Sequence, residues 1–370
     1  MKVLILTISA GQGHNQTANA VHHYLSQKGV ECKTLDAYQY INPILSEGVK
    51  HGYLLGTQYT PIVYGGFYRL AERRNADTRN YFTYVANALF GSKLFHYIEQ
   101  FNPDYIVGTH IFVGTILTQL RKRLRGTKTI GIVTDFTAHP YWEETKLDYY
   151  VTASELLNNQ MRKKGISQTR ILPFGIPVNS KFSNKIEKRE AKKLLGISDK
   201  PTILLVMGSM GFGNVASIVR KIDSLPIDFQ VLAVCGKNKR AQRRIDKYPH
   251  KHQVYNYGFV DNIDIMMDAA DFIITKPGGL TVSESMAKGL PLILVNPIPG
   301  QEDRNVEFLL NNGLALHVTN TFPVDEAIYQ FFNNQFRRER FHETVKEFGK
   351  PNAAKDLGDF IIADYEKTKK

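Results

Sequence analysis

The sequence predicts an α/β protein of two domains, each a parallel β-sheet covered by helices. Its length of 370 residues fits two domains of roughly 150 residues or more. Apolar runs rich in β-branched residues alternate with helical patterns along most of the chain, which is typical of parallel sheets buried on both faces. Each half also begins with such a run, followed directly by glycine-rich sequence. We therefore expect two Rossmann-like domains that face each other across a cleft.

The composition excludes several classes of protein. A hydrophobic fraction of 43% and a charged fraction of 22% are those of an ordinary globular protein, not of a disordered chain, a collagen or a coiled-coil rod. No apolar run approaches the roughly 20 residues of a membrane helix. The first one, Val3–Ile8, is too short for the core of a signal peptide. Cys32 and Cys235 are too few and too far apart for a disulfide framework or a cysteine zinc site, so a cytosolic location is expected.

The first half predicts the elements of one domain. A strand over Lys2–Ile8 runs into the loop Ser9–Gly13, and a helix follows from about His14 to Lys28. Further elements are predicted as strands at Tyr105–Gly108, Thr129–Thr134 and Tyr149–Thr152 and as helices at Val113–Arg123 and Glu155–Lys164. The segment Pro173–Asn179, rich in proline and glycine, is the predicted linker.

The second half repeats this plan. A strand over Thr202–Met207 runs into the loop Gly208–Gly213. Further elements are predicted as strands at Phe229–Cys235, Gln253–Tyr257, Phe272–Thr275 and Leu292–Val295 and as helices at Lys185–Leu195, Thr281–Lys288 and Asp356–Tyr365.

The charge indicates an anionic partner, and the alternative is a diffuse excess of basic residues without a specific partner. The net charge of +12 and the pI of about 9.4 suit nucleic acid, an anionic membrane surface or a phosphorylated small molecule. Residues 44–97 combine aromatic and basic side chains without a strand pattern, the composition of an interfacial membrane patch. The side chains concerned are Tyr53, Tyr59, Tyr64, Phe67, Tyr68, Arg69, Arg73, Arg74 and Arg79. The alternative is a helical insertion packed on the sheet, with its basic face in solvent.

The first glycine-rich loop is a candidate anion site that places a histidine. Gly11 and Gly13 have the spacing of a dinucleotide fingerprint, but Gln16 stands where its third glycine belongs, and the chain has no Walker motif. His14 follows at the predicted helix start, where the carboxyl ends of the strands keep their ligands. The alternative is a histidine that caps the helix or faces solvent.

The second half offers a phosphate site. The loop containing Gly208, Ser209, Met210 and Gly211 is suited to cradle a phosphate with its backbone N–H groups. Gly278 and Gly279 allow the backbone to approach a second phosphate, and Thr281 is predicted to cap the helix that follows.

Three polar side chains next to these loops suit a sugar nucleotide. Glu284, one turn into the helix, can accept two hydrogen bonds from a ribose diol, although the helix dipole alone also favours an acid there. Gln301 and Glu302 place an amide beside a carboxylate, which suits neighbouring sugar hydroxyls or a polar surface turn.

The motifs resemble those of a known family. Residues 278–313, GGLTVSESMAKGLPLILVNPIPGQEDRNVEFLLNNG, resemble the nucleotide-sugar signature of glycosyltransferase family 28. The segments SAGQGHNQTA (9–18), VTDFTAHPYW (133–142) and YGFVDNIDIMMDAADFIITKPGG (257–279) are similar to its monogalactosyldiacylglycerol synthases and processive diacylglycerol glucosyltransferases. One departure is Ala10-Gly11-Gln12-Gly13, where the family often has consecutive glycines.

This resemblance implies a GT-B fold whose two domains bind different substrates. Residues 1–175, joined by a C-terminal helix at about 350–370, would bind the lipid acceptor, and residues 176–349 would bind a UDP-sugar. It implies transfer of glucose or galactose to diacylglycerol with inversion and without a metal, by a peripheral protein at the cytoplasmic face of the membrane and with no nucleic-acid partner. The chain contains no Asp-x-Asp pair. Anionic phospholipid is an expected activator.

The resemblance also suggests residue roles. His14 is our first choice for the base that deprotonates the acceptor, with Asp135 as its rival or orienting group and His139 third. Phe259 and Val260 would flank uracil, and Glu284 would hold the ribose. Gln301 and Glu302 would bind the sugar.

Four alternatives remain open. One is an N-acetylglucosaminyltransferase that acts on a polyprenyl-linked cell-wall precursor, and another is a UDP-sugar epimerase. A nucleic-acid binder would use a basic cluster at Arg121, Lys122, Arg123 and Arg125. The last is a UDP-sugar sensor without catalytic activity. The sequence does not separate glucose from galactose.

Overall fold

The chain forms two compact units. The computed structural model describes residues 1–9, 11–43, 47, 92–208 and 213–369, with only the backbone of Gln301. The first unit comprises Met1–Ser180, Pro299–Gln301 and Asn352–Lys370, and the second comprises Lys181–Ile298 and Glu302–Pro351. The first unit is therefore built from both ends of the sequence.

Each unit contains a six-stranded sheet whose strands are all parallel. In the first unit the order is β2-β1-β3-β4-β5-β6, and in the second it is β12-β11-β10-β7-β8-β9. The strands are β1 (Lys2–Thr7), β2 (Glu31–Asp36), β3 (Tyr105–Gly108), β4 (Lys128–Ile132), β5 (Tyr149–Val151), β6 (Ile171–Leu172), β7 (Thr202–Val206), β8 (Gln230–Val234), β9 (Gln253–Tyr257), β10 (Phe272–Thr275), β11 (Leu292–Leu294) and β12 (Ala315–His317).

Helices connect the strands and cover the sheets. The labelled helices are α1 (Gln12–Gln27), α2 (Ala37–Ile41), α3 (Ile111–Leu120), α4 (Asn158–Lys163), α5 (Lys188–Leu195), α6 (Val215–Asp223), α7 (Lys239–Asp246), α8 (Ile263–Ala269), α9 (Gly279–Ala287), α10 (Gln301–Asn311), α11 (Val324–Asn333), α12 (Gln335–Phe348) and α13 (Ala353–Lys369). Residues 92–101 are also helical, and short 3-10 turns lie at Pro140–Glu144, Glu155–Leu157, Gln168–Arg170 and Ser180–Phe182.

Both faces of the first sheet are buried. On one face, Val21 of α1 and Leu357 of α13 belong to a single apolar cluster with Val3 of β1. On the other face, Leu117 of α3 and Trp142 pack in a second cluster. The continuous apolar sequence of the central strands follows from this burial on two sides.

The strand order opens a crevice in each sheet. In the first, β1 lies between β2 and β3, so the connections that leave β1 and β3 diverge. In the second, β7 lies between β8 and β10 in the same way. Parallel sheets bind ligands at such switch points, beyond the carboxyl ends of the strands. The two crevices lie at the start of α1 and at the start of α9, and each helix begins within the glycine-rich segment predicted as a ligand site.

The C-terminal helix α13 packs on the first unit, as the predicted fold requires. The hydroxyl of Tyr24 in α1 donates to Asp359 Oδ1 at 2.6 Å. Asp364 Oδ2 accepts from the hydroxyl of Tyr105 and from Lys128 Nζ, both at 2.6 Å. These contacts bind the last helix to β3 and β4 as well as to α1.

The predicted membrane-contacting segment is only partly described. Apart from Glu47 and the helical residues 92–97, the segment 44–97 lies outside the described residues. Of the helices in the described ranges, none combines the length and the hydropathy needed to cross a bilayer.

Candidate active site

His14 lies at the switch point of the first sheet. It is the third residue of α1, which begins at Gln12 rather than at His14, after Gly11 as N-cap residue. Its Nδ1 lies 2.7 Å from the carbonyl oxygen of Thr109, which follows β3, and 3.2 Å from Thr134 Oγ1, which follows β4. Since a carbonyl only accepts, Nδ1 carries the proton and Nε2 keeps a free lone pair. His14 is thus held in the tautomer that a general base needs.

The electrostatic surroundings keep His14 neutral. Burial lowers the pKa of His14 below its usual value of 6.5, against the hydrogen bond to Thr109 and the charge of Asp135, which both raise it. The predicted base and the predicted orienting carboxylate are therefore close enough to interact. At neutral pH the imidazole is uncharged and ready to accept a proton.

Two further histidines, His110 and His139, lie in the same region of the first unit. His110 forms an edge-to-face contact with His14, with the ring centroids 4.5 Å apart. Burial, then the proximity of His14 and His139, hold the pKa of His110 well below its usual value. His139 accepts the N–H of Tyr141 through Nδ1 at 3.2 Å and so caps a 3-10 turn. His110, which the sequence analysis missed, caps α3 in the same way by accepting the N–H of Phe112 at 3.1 Å, so both histidines have a structural task.

A polar network supports the loop between β1 and α1. Asp36, the N-cap residue of α2, accepts from the backbone N–H of Ser9 at 3.0 Å. Asn15 donates to Ser9 Oγ at 3.0 Å and accepts from Thr7 Oγ1 at 2.9 Å. Thr7 in turn accepts from Thr109 Oγ1 at 3.0 Å. The network joins β1, α1 and the end of β3, and so fixes the position of the backbone segment that contains His14. Gly13 lies in the first turn of α1, where backbone N–H groups have no helical acceptor.

An ion pair occupies the switch point of the second sheet. Lys276 follows β10 directly, and its ammonium pairs with Glu302 Oε1 of α10. The other carboxylate oxygen of Glu302 accepts the backbone N–H of Ile298 at 2.9 Å. The side chains are only 17% and 5% exposed, respectively. The sequence analysis predicted Glu302 as a sugar contact and did not identify Lys276.

The predicted helix cap at Thr281 is wrong. Helix α9 begins at Gly279 with Gly278 as the N-cap residue, which has extended backbone angles (φ −76°, ψ 135°) and no side-chain cap. Thr281 is therefore the third residue of the helix. Glycine suffices as a cap because it takes the required conformation at little cost. The first N–H groups of α9, including that of Gly279, are left without a capping side chain.

Glu284 has an unusual electrostatic environment. Burial raises the pKa of Glu284 to about 8, with Lys181 opposing this shift and Asp264 adding to it. Lys181 itself pairs with Asp264 at 3.1 Å. The pKa of this carboxyl group thus lies close to physiological pH. The alternative in the sequence analysis, an acid favoured only by the helix dipole, did not predict this shift.

The other predicted donor residues are placed as follows. Gly208 is described and has φ +74°. Ser209, Met210 and Gly211 lie outside the described residues, as does the side chain of Gln301. Phe259 follows β9 and is 60% exposed, and Val260 beside it is half-buried. An aromatic ring this exposed is free to contact a ligand.

Two family models match the chain. The model of monogalactosyldiacylglycerol (MGDG) synthase matches residues 14–178, and that of the glycosyltransferase family 28 C-terminal domain matches residues 202–357. The first match begins at His14, and the second contains Lys276, Glu284 and Glu302.

Full-length relatives carry a consistent name. A processive diacylglycerol beta-glucosyltransferase of Bacillus pumilus (strain SAFR-032) is 27% identical over 371 residues, which are 98% of this chain and 94% of that protein. An enzyme of the same name from Bacillus cereus (strain AH187) is 29% identical over 376 residues, again 98% and 94%.

A solved structure shares the fold. MurG from Acinetobacter baumannii superposes with a TM-score of 0.63 at 18% identity, over 98% of this chain and 99% of that one. With the two parallel sheets, this likeness confirms the predicted two-domain GT-B architecture.

Proposed function

We propose that this chain transfers a hexose from a UDP-sugar to the hydroxyl of diacylglycerol, because the models of monogalactosyldiacylglycerol (MGDG) synthase and of the glycosyltransferase family 28 C-terminal domain match residues 14–178 and 202–357. One observation carries the choice of acceptor: relatives named for diacylglycerol align with 98% of the chain, and so with both units. The same relatives are named for glucose, so we favour glucose over galactose as the transferred sugar. The likeness to MurG supports the fold alone.

The acceptor step belongs to the first unit. The hydroxyl oxygen of diacylglycerol attacks the anomeric carbon and its proton passes to His14 Nε2, while the bond to the UDP oxygen breaks and its electron pair leaves with UDP. Attack opposite the leaving group inverts the anomeric centre. Thr109 stabilises the protonated imidazole through Nδ1–H, and Asp135 does so through its charge.

Apart from Gln301, the proposed donor residues belong to the second unit. The open N-terminus of α9 and the backbone at Gly208 are suited to a diphosphate, and Glu284 to the ribose diol. Phe259 and Val260 would contact uracil, and Gln301 with Glu302 would contact the sugar. Of these groups, the helix N-terminus and the backbone N–H groups supply the charge compensation that a metal gives elsewhere. We therefore propose that transfer does not need a metal ion.

An anionic membrane surface is the proposed setting, at the cytoplasmic face. Between Lys237 and Lys251 the chain has seven Lys and Arg residues and one acid, a net charge of +6 and thus half of its total of +12. These residues include α7, on which Lys239, Arg240, Arg243 and Arg244 are exposed. A basic helix of this kind is attracted to anionic phospholipid headgroups. It complements the segment 44–97 proposed from the sequence.

A transfer assay tests the proposal. Purified protein is incubated with vesicles of phosphatidylglycerol and diacylglycerol and with radiolabelled UDP-glucose or UDP-galactose, with and without EDTA, and the lipids are separated by thin-layer chromatography. We expect labelled glycolipid from UDP-glucose, undiminished by EDTA. Labelled product only from UDP-N-acetylglucosamine and a polyprenyl-linked acceptor would contradict the proposal in favour of the cell-wall alternative.

A further inference from the structure

The sequence analysis assigned the charge of the donor diphosphate to backbone N–H groups and a helix dipole, and identified no particular Lys or Arg for it. We infer that Lys276 is the cation that binds this diphosphate and that Glu302 is the positioning residue that holds its ammonium in place. This inference rests on the proposed function, because it takes a nucleoside diphosphate sugar as the donor. It changes the role expected for Glu302 from a sugar contact to a group that acts mainly through Lys276.

The position of Lys276 is the first support. It is the first residue after β10, at the point where the second sheet diverges between β7 and β10. The backbone N–H of Gly278 donates to the carbonyl of Lys276 at 2.8 Å, which folds the turn back on itself. Lys276 is thereby fixed directly before the open N-terminus of α9.

The glycines around the ion pair are the second support. A β-carbon on Gly208 would lie 3.4 Å from Lys276 Cε, and one on Gly278 would lie 3.5 Å from both Lys276 Nζ and Glu302 Oε1. One glycine of each predicted phosphate loop, Gly208 and Gly278, therefore borders the side chain of the same lysine. A phosphate bound to these loops would lie within reach of its ammonium.

The contacts that fix the carboxylate of Glu302 are the third support. Its two oxygens are taken by Lys276 and by the backbone N–H of Ile298, so the carboxylate is fixed from both sides. The Glu302 side chain is only 5% exposed and can only accept, whereas the Lys276 side chain is 17% exposed and its ammonium is a donor with a positive charge. The ammonium is therefore the member of the pair whose charge attracts an anionic ligand.

This arrangement assigns Lys276 a part in the reaction. As the bond between the anomeric carbon and the UDP oxygen breaks, negative charge grows on the leaving diphosphate. An ammonium already held at that place stabilises the charge without reorganising, which is the form of electrostatic stabilisation that accelerates reactions most. Lys276 would thus bind the donor and favour departure of UDP.

Calorimetric titration of the whole protein with UDP and with uridine tests the inference. For Lys276→Met we expect the affinity for UDP to fall at least 30-fold and the affinity for uridine to stay within threefold, because only UDP carries phosphates. Lys276→Arg, which keeps the charge, should recover most of the UDP affinity. Lys193→Met removes one exposed charge from α5 and controls for net charge, with no change expected.

Two measurements make the result decisive. Lys276→Met leaves Glu302 buried without its partner, so the double variant Lys276→Met/Glu302→Gln removes both charges and should bind UDP no more weakly than the single variant. Equal loss of UDP and uridine affinity in the double variant, or UDP affinity within threefold of the parent, would overturn the inference. If the parent protein binds UDP yet forms no glycolipid, the proposed function fails while the diphosphate site stands.

Discussion

The chemistry of His14 depends on groups that lie far from it in the sequence. Its Nδ1–H is bound by Thr109, 95 positions away, and Thr134 lies 120 positions away. The Gly-x-Gly-His pattern predicted where the imidazole would stand, but the order of β1, β3 and β4 in the sheet determines which nitrogen is free. His110 could have been found from one signal, a histidine two residues after a buried strand.

Replacement of His14 should abolish transfer but spare the donor. For His14→Ala we expect kcat to fall by about 10²–10⁴-fold, the range for loss of a general base, with unchanged UDP affinity in calorimetry. His23→Ala, at an exposed position of the same helix, is the matched control. Because the pKa of His14 lies below 6.5, kcat/KM should stay high until the pH falls below that value.

The pH profile of kcat/KM also distinguishes the role of Asp135 from that of His14. Its charge raises the pKa of His14, so Asp135→Asn should shift the acidic limb of kcat/KM to lower pH while turnover persists. Loss of all turnover in Asp135→Asn, with activity retained in His14→Ala, would make Asp135 the base.

Glu284 should make donor binding depend on pH. Its pKa of about 8 means that the carboxyl group is mostly protonated at pH 7 and must lose its proton to accept both ribose hydroxyls. UDP affinity should therefore rise between pH 7 and pH 9, and Glu284→Gln should flatten this dependence. Glu307→Gln, exposed on α10, should behave as the parent. An identical slope in Glu284→Gln and the parent would refute the ribose assignment.

At the scale of elements, burial decides what the sequence can predict. Strands such as β7 (TILLV) are buried throughout, and their apolar runs predicted them. The edge strand β2 (ECKTLD) is largely exposed and has no such run. It forms because its backbone pairs with β1 from Lys2 to Thr7, a partner that local sequence does not reveal. The strands β6 (IL) and β12 (ALH) were missed for a different reason, because two or three residues are too few to show a strand pattern, although both strands are largely buried.

The close contact between α1 and α13 depends on one glycine. A β-carbon on Gly358 would lie 2.3 Å from Cδ1 of Tyr24, whose hydroxyl is anchored on Asp359. Gly358→Ala should therefore destabilise the first unit by about 1–3 kcal/mol through overpacking, despite the helix propensity of alanine. Urea unfolding followed by fluorescence measures this effect, because the single tryptophan, Trp142, is buried in that unit.

A second background tests the cause. In Tyr24→Ala the ring that obstructs the β-carbon is absent, so adding Gly358→Ala should cost nothing further. A cost of Gly358→Ala that is the same in both backgrounds would show that the contact with Tyr24 is not responsible.

At the scale of the whole molecule, the charge is unevenly distributed. Half of the net charge lies between Lys237 and Lys251, and the four exposed side chains of α7 form no ion pair within the described residues. Composition predicted an anionic partner but not this concentration, because a net charge carries no positional information. A local surplus of this size favours an extended anionic surface over a single small ligand.

Vesicle sedimentation checks the role of α7. Replacing Lys239, Arg240, Arg243 and Arg244 by glutamine should weaken binding to phosphatidylglycerol vesicles at least tenfold, given about 1 kcal/mol for each basic residue near a membrane. The control removes four exposed charges from scattered positions, Arg162, Lys163, Lys193 and Lys346, and should lose much less. Equal losses in both variants would assign the effect to net charge.

The return of the chain to the first unit affects the order in which the protein can be assembled on the ribosome. The sheet of that unit is synthesised first. Helix α13, which covers β1 and carries Asp359 and Asp364, emerges from the ribosome only after all of the second unit. Until then an apolar face that includes Val3 and Val21 lacks Leu357 and Ile361. The unit begun first is thus completed last, and a nascent chain that has paused before residue 353 presents an uncovered surface to chaperones.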